Sequence, residues 1–437
     1  MDAMLRDPGL AAEGRRKIDF AERRMPVLRA IRTELARTRP LTGTRIAACL
    51  HVTTETANLC RTLVAGGADL ALAASNPLST KDDVAAAIHV DLGVGVYAVH
   101  GCDLGTYYRQ IEGALSIEPT LVLDDGADLT NRLHGEHPEW LGEVVGGTEV
   151  TTSGVTRLRN MERDHALPYP MLALNDASTK YLFDNRYGTG QNTIDGLLRA
   201  TNVMLAGAVL VVVGFGWAGR GIAMRARGMG ARVIVVEVDA LKALEALMEG
   251  YEVLPIAEAA EVGDVFVTAT GNRHVIGLPH MRAMKPGAIV ANSGHFDHEI
   301  DVAGLRAASV EQHDLRPGAV EYVLERSAVS PPRQSGEYPA KPGEGRRGVV
   351  VLAEGRLVGQ SCAEAHPAEV MDLSFSTQAL AVEYLTKHGH TLTAGVHRVP
   401  PAIEDRVARA KLESLGVHLD ELTSDQRAYL TGWSAGT

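Results

Sequence analysis

Cysteine, basic charge and long apolar runs are all scarce in this sequence, and each shortage excludes something. Four cysteines, Cys49, Cys60, Cys102 and Cys362, are scattered over 437 residues with no C-x-x-C pair. This spacing speaks against a disulfide scaffold and a thiolate metal site. No metal is expected, and the thiols read as small core residues in a reducing cytoplasm. Lysine and arginine number 43 against 54 acids, a formal net charge of −11. Nucleic acid and anionic membranes need basic patches, so neither is an expected partner. No apolar run approaches membrane-spanning length. Residues 1–25 carry Arg6, Arg15, Arg16, Lys17, Arg23 and Arg24 around no apolar centre, so no signal peptide is expected.

What is present is a chain long enough for two or three domains, organised around Asn175 to Glu237. Val209 to Val213 is a β-branched run of the kind buried on both faces of a sheet. Gly214, Gly216 and Gly219 follow in G-x-G-x-x-G spacing. The first glycine permits a tight turn and the second lets backbone approach a pyrophosphate. The third lets the next helix, Ile222 to Met229, pack against the strand. A second apolar run, Val233 to Val236, ends in Glu237, at about the 20-residue spacing where a carboxylate meets a ribose. That acid favours NAD over NADP. A glycine-rich turn with no ligand is the competing reading, but strand, glycines, helix, second strand and acid all fall in register.

Ahead of this unit, Lys180 and Asp184 stand four apart, on one face if helical, and Asn185 follows. An isolated pair of this kind is usually a surface ion pair. Its place just before a cofactor unit makes it a candidate for chemistry. Toward the N-terminus, strands are expected at Ile46–Leu50, Ala71–Ala74, Val96–Val99 and Leu121–Leu123. Strand, polar tip and helix repeat, which predicts a doubly wound parallel sheet over the first 150 residues or so. His51 and Asp125 follow two of these strands, where α/β proteins place ligand groups, though such residues are more often structural. Further strands are expected at 265–269 and 288–291, with His295 after the second. The Pro- and Gly-rich segment between Arg326 and Arg347 reads as an exposed loop. The tail from 401 reads as helical, with Val407, Leu412, Leu415, Val417, Leu419 and Leu422 as its apolar positions.

Several long stretches carry a resemblance. NDASTKYLFDNRYGTGQNTIDG, GFGWAGRG, NSGHFDHEID, LAEGRL with AHP, HVTTETANL and LDDGADLTN resemble the S-adenosyl-L-homocysteine hydrolase family along nearly the whole chain. The tail resembles a shorter-tailed branch that lacks a terminal lysine and tyrosine. The resemblance implies an α/β protein of two doubly wound parallel-sheet domains. A substrate domain would span 1–185 and 356–400, an NAD-binding Rossmann domain 190–355, and a helical oligomerisation tail 401–437. It also implies a cytoplasmic homo-oligomer, a tetramer, acting on an adenine nucleoside.

The family's reaction uses resident NAD to oxidise a ribose 3′-OH. The ketone acidifies C4′–H, a base removes that proton, and the 5′ substituent leaves. By resemblance, Lys180 and Asp184 attend the 3′ and 4′ positions, with Lys180 needing to be neutral to act as a base. His51 and Asp125 serve the 5′ side. Thr53 and Glu55 meet the adenine edge, with Thr56, His366 and Met371 also in the substrate pocket. Asn185 and His295 hold the nicotinamide end, Asn292 also belongs to the cofactor site, and Thr151, Thr152 and Ser153 reach the cofactor from the other domain.

Three departures stand out. The family's SEETTTG is TEVTTSG here, so Val150 replaces a glutamate that grips the ribose hydroxyls. Gly359 stands where the family has an asparagine near the nicotinamide amide. The segment VHGCDLGTYYRQ at 99–110 is also altered. The first favours a nucleoside dehydratase, which would expel water to leave a 4′,5′-alkene, as in angustmycin-type antibiotic biosynthesis. The alternative is reversible hydrolysis of S-adenosyl-L-homocysteine to adenosine and homocysteine. A non-catalytic NAD-binding regulator and a dehydrogenase with net redox turnover fit the retained residues less well.

Overall fold

The computed structural model describes residues 3–325 and 346–433. Their strands form two sheets. The first takes β1 (Arg45–Leu50), β2 (Asp69–Ala74), β3 (Gly95–Tyr97), β4 (Leu121–Asp124), β5 (Gly146–Glu149) and β6 (Pro170–Ala173). The second takes β7 (Val209–Val213), β8 (Arg232–Val236), β9 (Glu252–Val253), β10 (Val265–Thr268), β11 (Ala288–Asn292), β12 (Ser309–Arg316), β13 (Ala319–Glu325) and β14 (Arg346–Leu352). The chain then returns to the first sheet with β15 (Gly395–Arg398), which pairs parallel with β6.

The first sheet is wholly parallel, in the order β15-β6-β5-β4-β1-β2-β3. The strand order reverses between β1 and β4. In open α/β sheets, ligands bind at the carboxyl ends of strands at such a reversal. The second sheet runs β12-β13-β14-β11-β10-β7-β8-β9 and reverses between β7 and β10. Its strands are parallel except where β12–β13–β14 form an antiparallel edge. Sequence reading missed this edge, because Ser309–Arg316 is polar nearly throughout. That composition suits an exposed edge strand, which charge protects from further pairing. The expected loop of residues 327–346 lies almost wholly outside the described residues.

Burial explains why these segments are strands. β7 is buried along its whole length, with apolar side chains packed on both faces of the sheet. Below the first sheet, the 21-residue helix Ala368–His388 is largely buried. Its Asp372 accepts hydrogen bonds from Leu28 N at 2.9 Å and Lys411 Nζ at 2.7 Å, tying both chain ends to one core.

The tail departs from the expected helical pattern. One helix covers Pro401–Ser414 and buries Val407; a second covers Ser424–Thr431. Val417, Leu419 and Leu422 lie between them in non-helical chain, past Gly416 at φ +69°, and are exposed. Among the described residues, no helix is long and apolar enough to cross a membrane.

Candidate active site

The two reversal points face one cleft of about 1390 Å³. On the first sheet, His51 follows β1 and Asp125 follows β4, so the fold brings together residues 74 positions apart in the chain (125 less 51). His51 Nε2 lies 3.4 Å from Asp125 Oδ2. Its Nδ1 lies 2.7 Å from Ser79 Oγ, whose own hydroxyl donates to Asn76 O. Which ring nitrogen donates in these contacts depends on the tautomer of the imidazole. Burial keeps His51 neutral, pushing its pKa down to about 4 against the pull of Asp125. From the second sheet, His295 Nδ1 lies 3.2 Å from Asp125 Oδ1. Burial lowers His295, but the close contact with the Asp125 carboxylate outweighs it and the net shift is upward. Burial likewise opposes ionisation of Asp125, yet the flanking histidines hold it below the ordinary carboxylate range. The three donor atoms lie within 4.8 Å of one another, a spacing that serves a proton relay and would also admit a cation.

Lys180 and Asp184 meet as the spacing predicts. Lys180 Nζ is 3.4 Å from Asp184 Oδ1, and both residues are buried. They sit at a π-helical stretch, Tyr181–Gly188, a wide turn found mostly at functional sites. Lys180 Nζ donates to Asn185 Oδ1 at 2.6 Å, and Asn185 Nδ2 donates to Asn175 Oδ1 at 3.0 Å. Asp184 Oδ2 accepts from Ser374 Oγ at 2.8 Å. Burial pushes Asp184 up, but Lys180, His366 and Ser374 outweigh it and hold it low. His366 packs at 3.8 Å from Asp184, and burial lowers its pKa.

Thr53, Glu55 and Thr56 line the same cleft at the start of helix Thr54–Ala65. Thr53 Oγ1 caps that helix through Thr56 N, while Thr56 Oγ1 donates to His51 O at 2.6 Å. Glu55 is buried; its Oε1 accepts from Thr54 Oγ1, and its Oε2 has no partner. Burial raises its pKa. Met371 and Val150 also line the wall, whereas residues 99–110 contribute nothing to it.

Opposite lies the glycine cradle. A Cβ on Gly219 would sit 1.9 Å from Gly214 O, so only glycine lets the helix Trp217–Gly228 approach β7 this closely. A Cβ on Gly216 would meet nothing within 4 Å; this glycine opens onto the cleft at an N-terminus with no side-chain cap. Free backbone N–H groups there suit a pyrophosphate. Glu237 closes β8 and lines the cleft, accepting from Phe215 N at 2.7 Å and Val238 N at 2.8 Å. The residues present thus fit a dinucleotide. Thr151, Thr152 and Ser153 face it from the first sheet, at the start of helix Thr152–Arg163.

Asn292 requires a correction. It is wholly buried: the two Nδ2 hydrogens are shared among Gly294 O, Phe296 O and Gly355 O, and Oδ1 accepts from Thr268 Oγ1 and Gly294 N. Every polar atom is used, so it shapes the turn that presents His295 and does not reach a ligand. Sequence reading passed over several residues that act here. Ser75 and Ser79 orient His51, Asn175 extends the Lys180 chain, and Glu149 braces the Asp125 turn through Gly126 N and Ala127 N. An acid within an otherwise uncharged strand was the available signal for Glu149.

Comparison with known proteins agrees with this site. Residues 2–139 match the family model described as S-adenosyl-L-homocysteine hydrolase, and residues 185–330 match its NAD binding domain. The chain is 53% identical to the adenosylhomocysteinase of Aquifex aeolicus over 437 residues, covering 100% of both chains. It is 52% identical to that of Saccharolobus solfataricus, again over 100% of both. It is 51% identical to the S-inosyl-L-homocysteine hydrolase of Methanopyrus kandleri, covering 99% of this chain and 98% of that one. Two family matches and full-length identity of about half place it without ambiguity: the chain belongs to the S-adenosyl-L-homocysteine hydrolase family, whose cofactor is NAD.

Proposed function

We propose that this protein hydrolyses the 5′ thioether of S-adenosyl-L-homocysteine, reversibly, to adenosine and homocysteine. The observation that carries the reading is the arrangement of Lys180–Asp184 and His51–Asp125–His295 on one cleft opposite the glycine cradle. The names of the full-length relatives favour hydrolysis over the dehydratase reading taken from Val150.

Gly214, Gly216, Gly219 and Glu237 would hold NAD, which when bound supplies a reversible oxidation at the ribose 3′ position that acidifies C4′–H. Lys180 in its neutral form, steered by Asn185 and Asp184, takes the C4′ proton. His51 stands on the 5′ side and moves the proton on the leaving group or incoming water. Asp125 and His295 hold that imidazole in place. Glu55 Oε2 is a buried acceptor without a donor, and the exocyclic amino group of adenine supplies one.

A second reading rests on Val150, which puts an apolar side chain on the cleft wall where the family has a carboxylate. Loss of a charge-assisted contact to a sugar hydroxyl is costly unless the sugar differs. A nucleoside with an additional group at the anomeric carbon, dehydrated across C4′ and C5′, fits that change. Mass spectrometry of the purified protein with S-adenosyl-homocysteine, S-inosyl-homocysteine and adenine nucleosides separates the outcomes. Homocysteine release from the adenine compound supports the hydrolase. Loss of one water from a nucleoside, with no homocysteine release, would replace it with the dehydratase.

A further inference from the structure

The glycine cradle and Glu237 account for one end of the dinucleotide. With the pyrophosphate on Gly216 and the adenosine ribose at the end of β8, the other nucleoside must lie across the reversal point, over the ends of β10, β11 and β14. Two side chains there have no protein partner to explain them. Leu357 pairs with Asn292 at the end of β11, and the short helix Val358–Cys362 begins at once. Gln360, on that helix, is 4% exposed and lines the cleft, and its Oε1 is buried without a hydrogen bond. The facing helix, Thr189–Thr201, is fastened to the same place by Thr193 Oγ1, 2.8 Å from Ser293 Oγ. The residue before it, Asn192, is 5% exposed, and its Oδ1 is also buried without a partner.

Gly359 connects the two. A Cβ there would sit 2.3 Å from Asn192 Oδ1, so Asn192 fills the space a side chain at 359 would need. One turn along the same helix face, a Cβ on Gly196 would lie 2.5 Å from Val358 O, so the two helices pack without a side chain between them at that point. A buried amide oxygen left unpaired costs more than an ordinary hydrogen bond gains, so Gln360 on the cleft wall and Asn192, packed against Gly359 behind it, leave two acceptors open to a donor from the ligand. A primary carboxamide carries two N–H donors on one nitrogen.

We propose that Gln360 and Asn192 together hold the carboxamide of the nicotinamide ring, and that the bare backbone at Gly359 exists to let Asn192 reach it. The pair fixes which face of the ring meets the ribose and sets the preference for an amide over an acid at this position. The inference rests on the NAD-dependent reading of this cleft and goes beyond it by naming the residues for the end that the motifs leave open.

The test uses holoenzyme carrying labelled NAD, with no nucleoside present. It is chased with unlabelled NAD or with nicotinic acid adenine dinucleotide, whose carboxylate has no donor, and label loss and analogue uptake are followed. Wild type is expected to favour NAD strongly. Gln360→Leu is expected to release label about tenfold faster and to narrow the preference for the amide by a similar factor, the effect of one net hydrogen bond. Asn192→Ala should act in the same direction. The ratio between the two dinucleotides is the decisive readout, because general loosening of the cleft weakens both alike. Should Gln360→Leu fail to fold with cofactor, Gln360→Glu keeps the shape and is expected to retain NAD while rejecting the carboxylate analogue more strongly. An unchanged ratio in these variants overturns the assignment alone. A folded wild type that carries no NAD overturns it together with the function on which it rests.

Discussion

His295 Nδ1 lies 3.2 Å from Asp125 Oδ1, so a histidine of the second sheet closes on the carboxylate at the reversal point of the first. His51 approaches the other oxygen of the same carboxylate, yet the two imidazoles shift in opposite directions. Burial takes His51 down to about 4, while the adjacent Asp125 carboxylate overcomes burial at His295 and raises it. Nitrogen-resolved NMR titration is expected to find one histidine neutral across neutral pH and the other protonated above its ordinary range. Asp125→Asn should send His295 below that range, since burial remains and the charge is gone. His295 binds its proton more tightly folded than unfolded. Its pairing therefore stabilises the fold fully below the unfolded value of 6.5 and is lost as pH rises through the higher folded value. The depressed Asp125 contributes above its unfolded value of 3.8. The stability deficit of Asp125→Asn, read from thermal melts, should be greatest between 3.8 and 6.5 and shrink toward alkaline pH. A deficit that grows with pH would contradict the pairing.

Lys180→Ala should block C4′ deprotonation more than the initial oxidation. Removing a general base commonly costs a factor of about 100 to 10,000. Oxidation depends more on alignment, which Asn185 and Asp184 continue to support. With a suitable nucleoside the variant should still develop NADH absorbance, while exchange of the C4′ hydrogen with deuterated solvent collapses. Exchange at the wild-type rate in a folded, NAD-loaded variant would transfer the role to Asp184 or His51.

Glu237 should govern the choice between NAD and NADP. Its carboxylate closes β8 on the cleft, where it accepts from ribose hydroxyls and repels a 2′-phosphate. Glu237→Ala is expected to lose about ten- to a hundredfold in NAD affinity, the range of a hydrogen bond to a charged group. The gap to NADP should narrow at the same time. Equal affinities of the wild type for both cofactors, measured by calorimetry, would remove the assignment.

The tail points to self-association. Leu415, Leu419, Tyr429, Leu430 and Trp433 are all more than half exposed, an unusual concentration of bare apolar surface at one chain end. We expect a homotetramer that covers it. Multi-angle light scattering at micromolar concentration should report four chains, and a shortened chain ending after Ser414 should shift toward smaller species. A monomeric full-length chain would refute this.

Local features of this protein are legible in its sequence. The strand Val209–Val213, the three glycines, the acid closing β8 and the four-residue spacing of Lys180 and Asp184 all appear where expected, because each is written in a few consecutive residues through dihedral freedom, periodicity and burial. His51 and Asp125 are legible as strand-end residues, but their union is not. It follows from the order of strands, which places β1 beside β4 and is settled by packing of the whole sheet. The same holds for Ser374, which reaches Asp184 across 190 positions of chain, and for Asn292, where an expected ligand contact gave way to a full set of internal hydrogen bonds. The amino-acid sequence by itself determined the cofactor unit, the family and the inventory of reactive groups. Only tertiary structure decided which of those groups share a proton, which are spent on holding a turn, and which, like Gln360 and Asn192, are left buried and unpaired. A hydrogen bond is a matter of ångströms and angles, and residues far apart in the chain acquire those only when both sheets have closed around them.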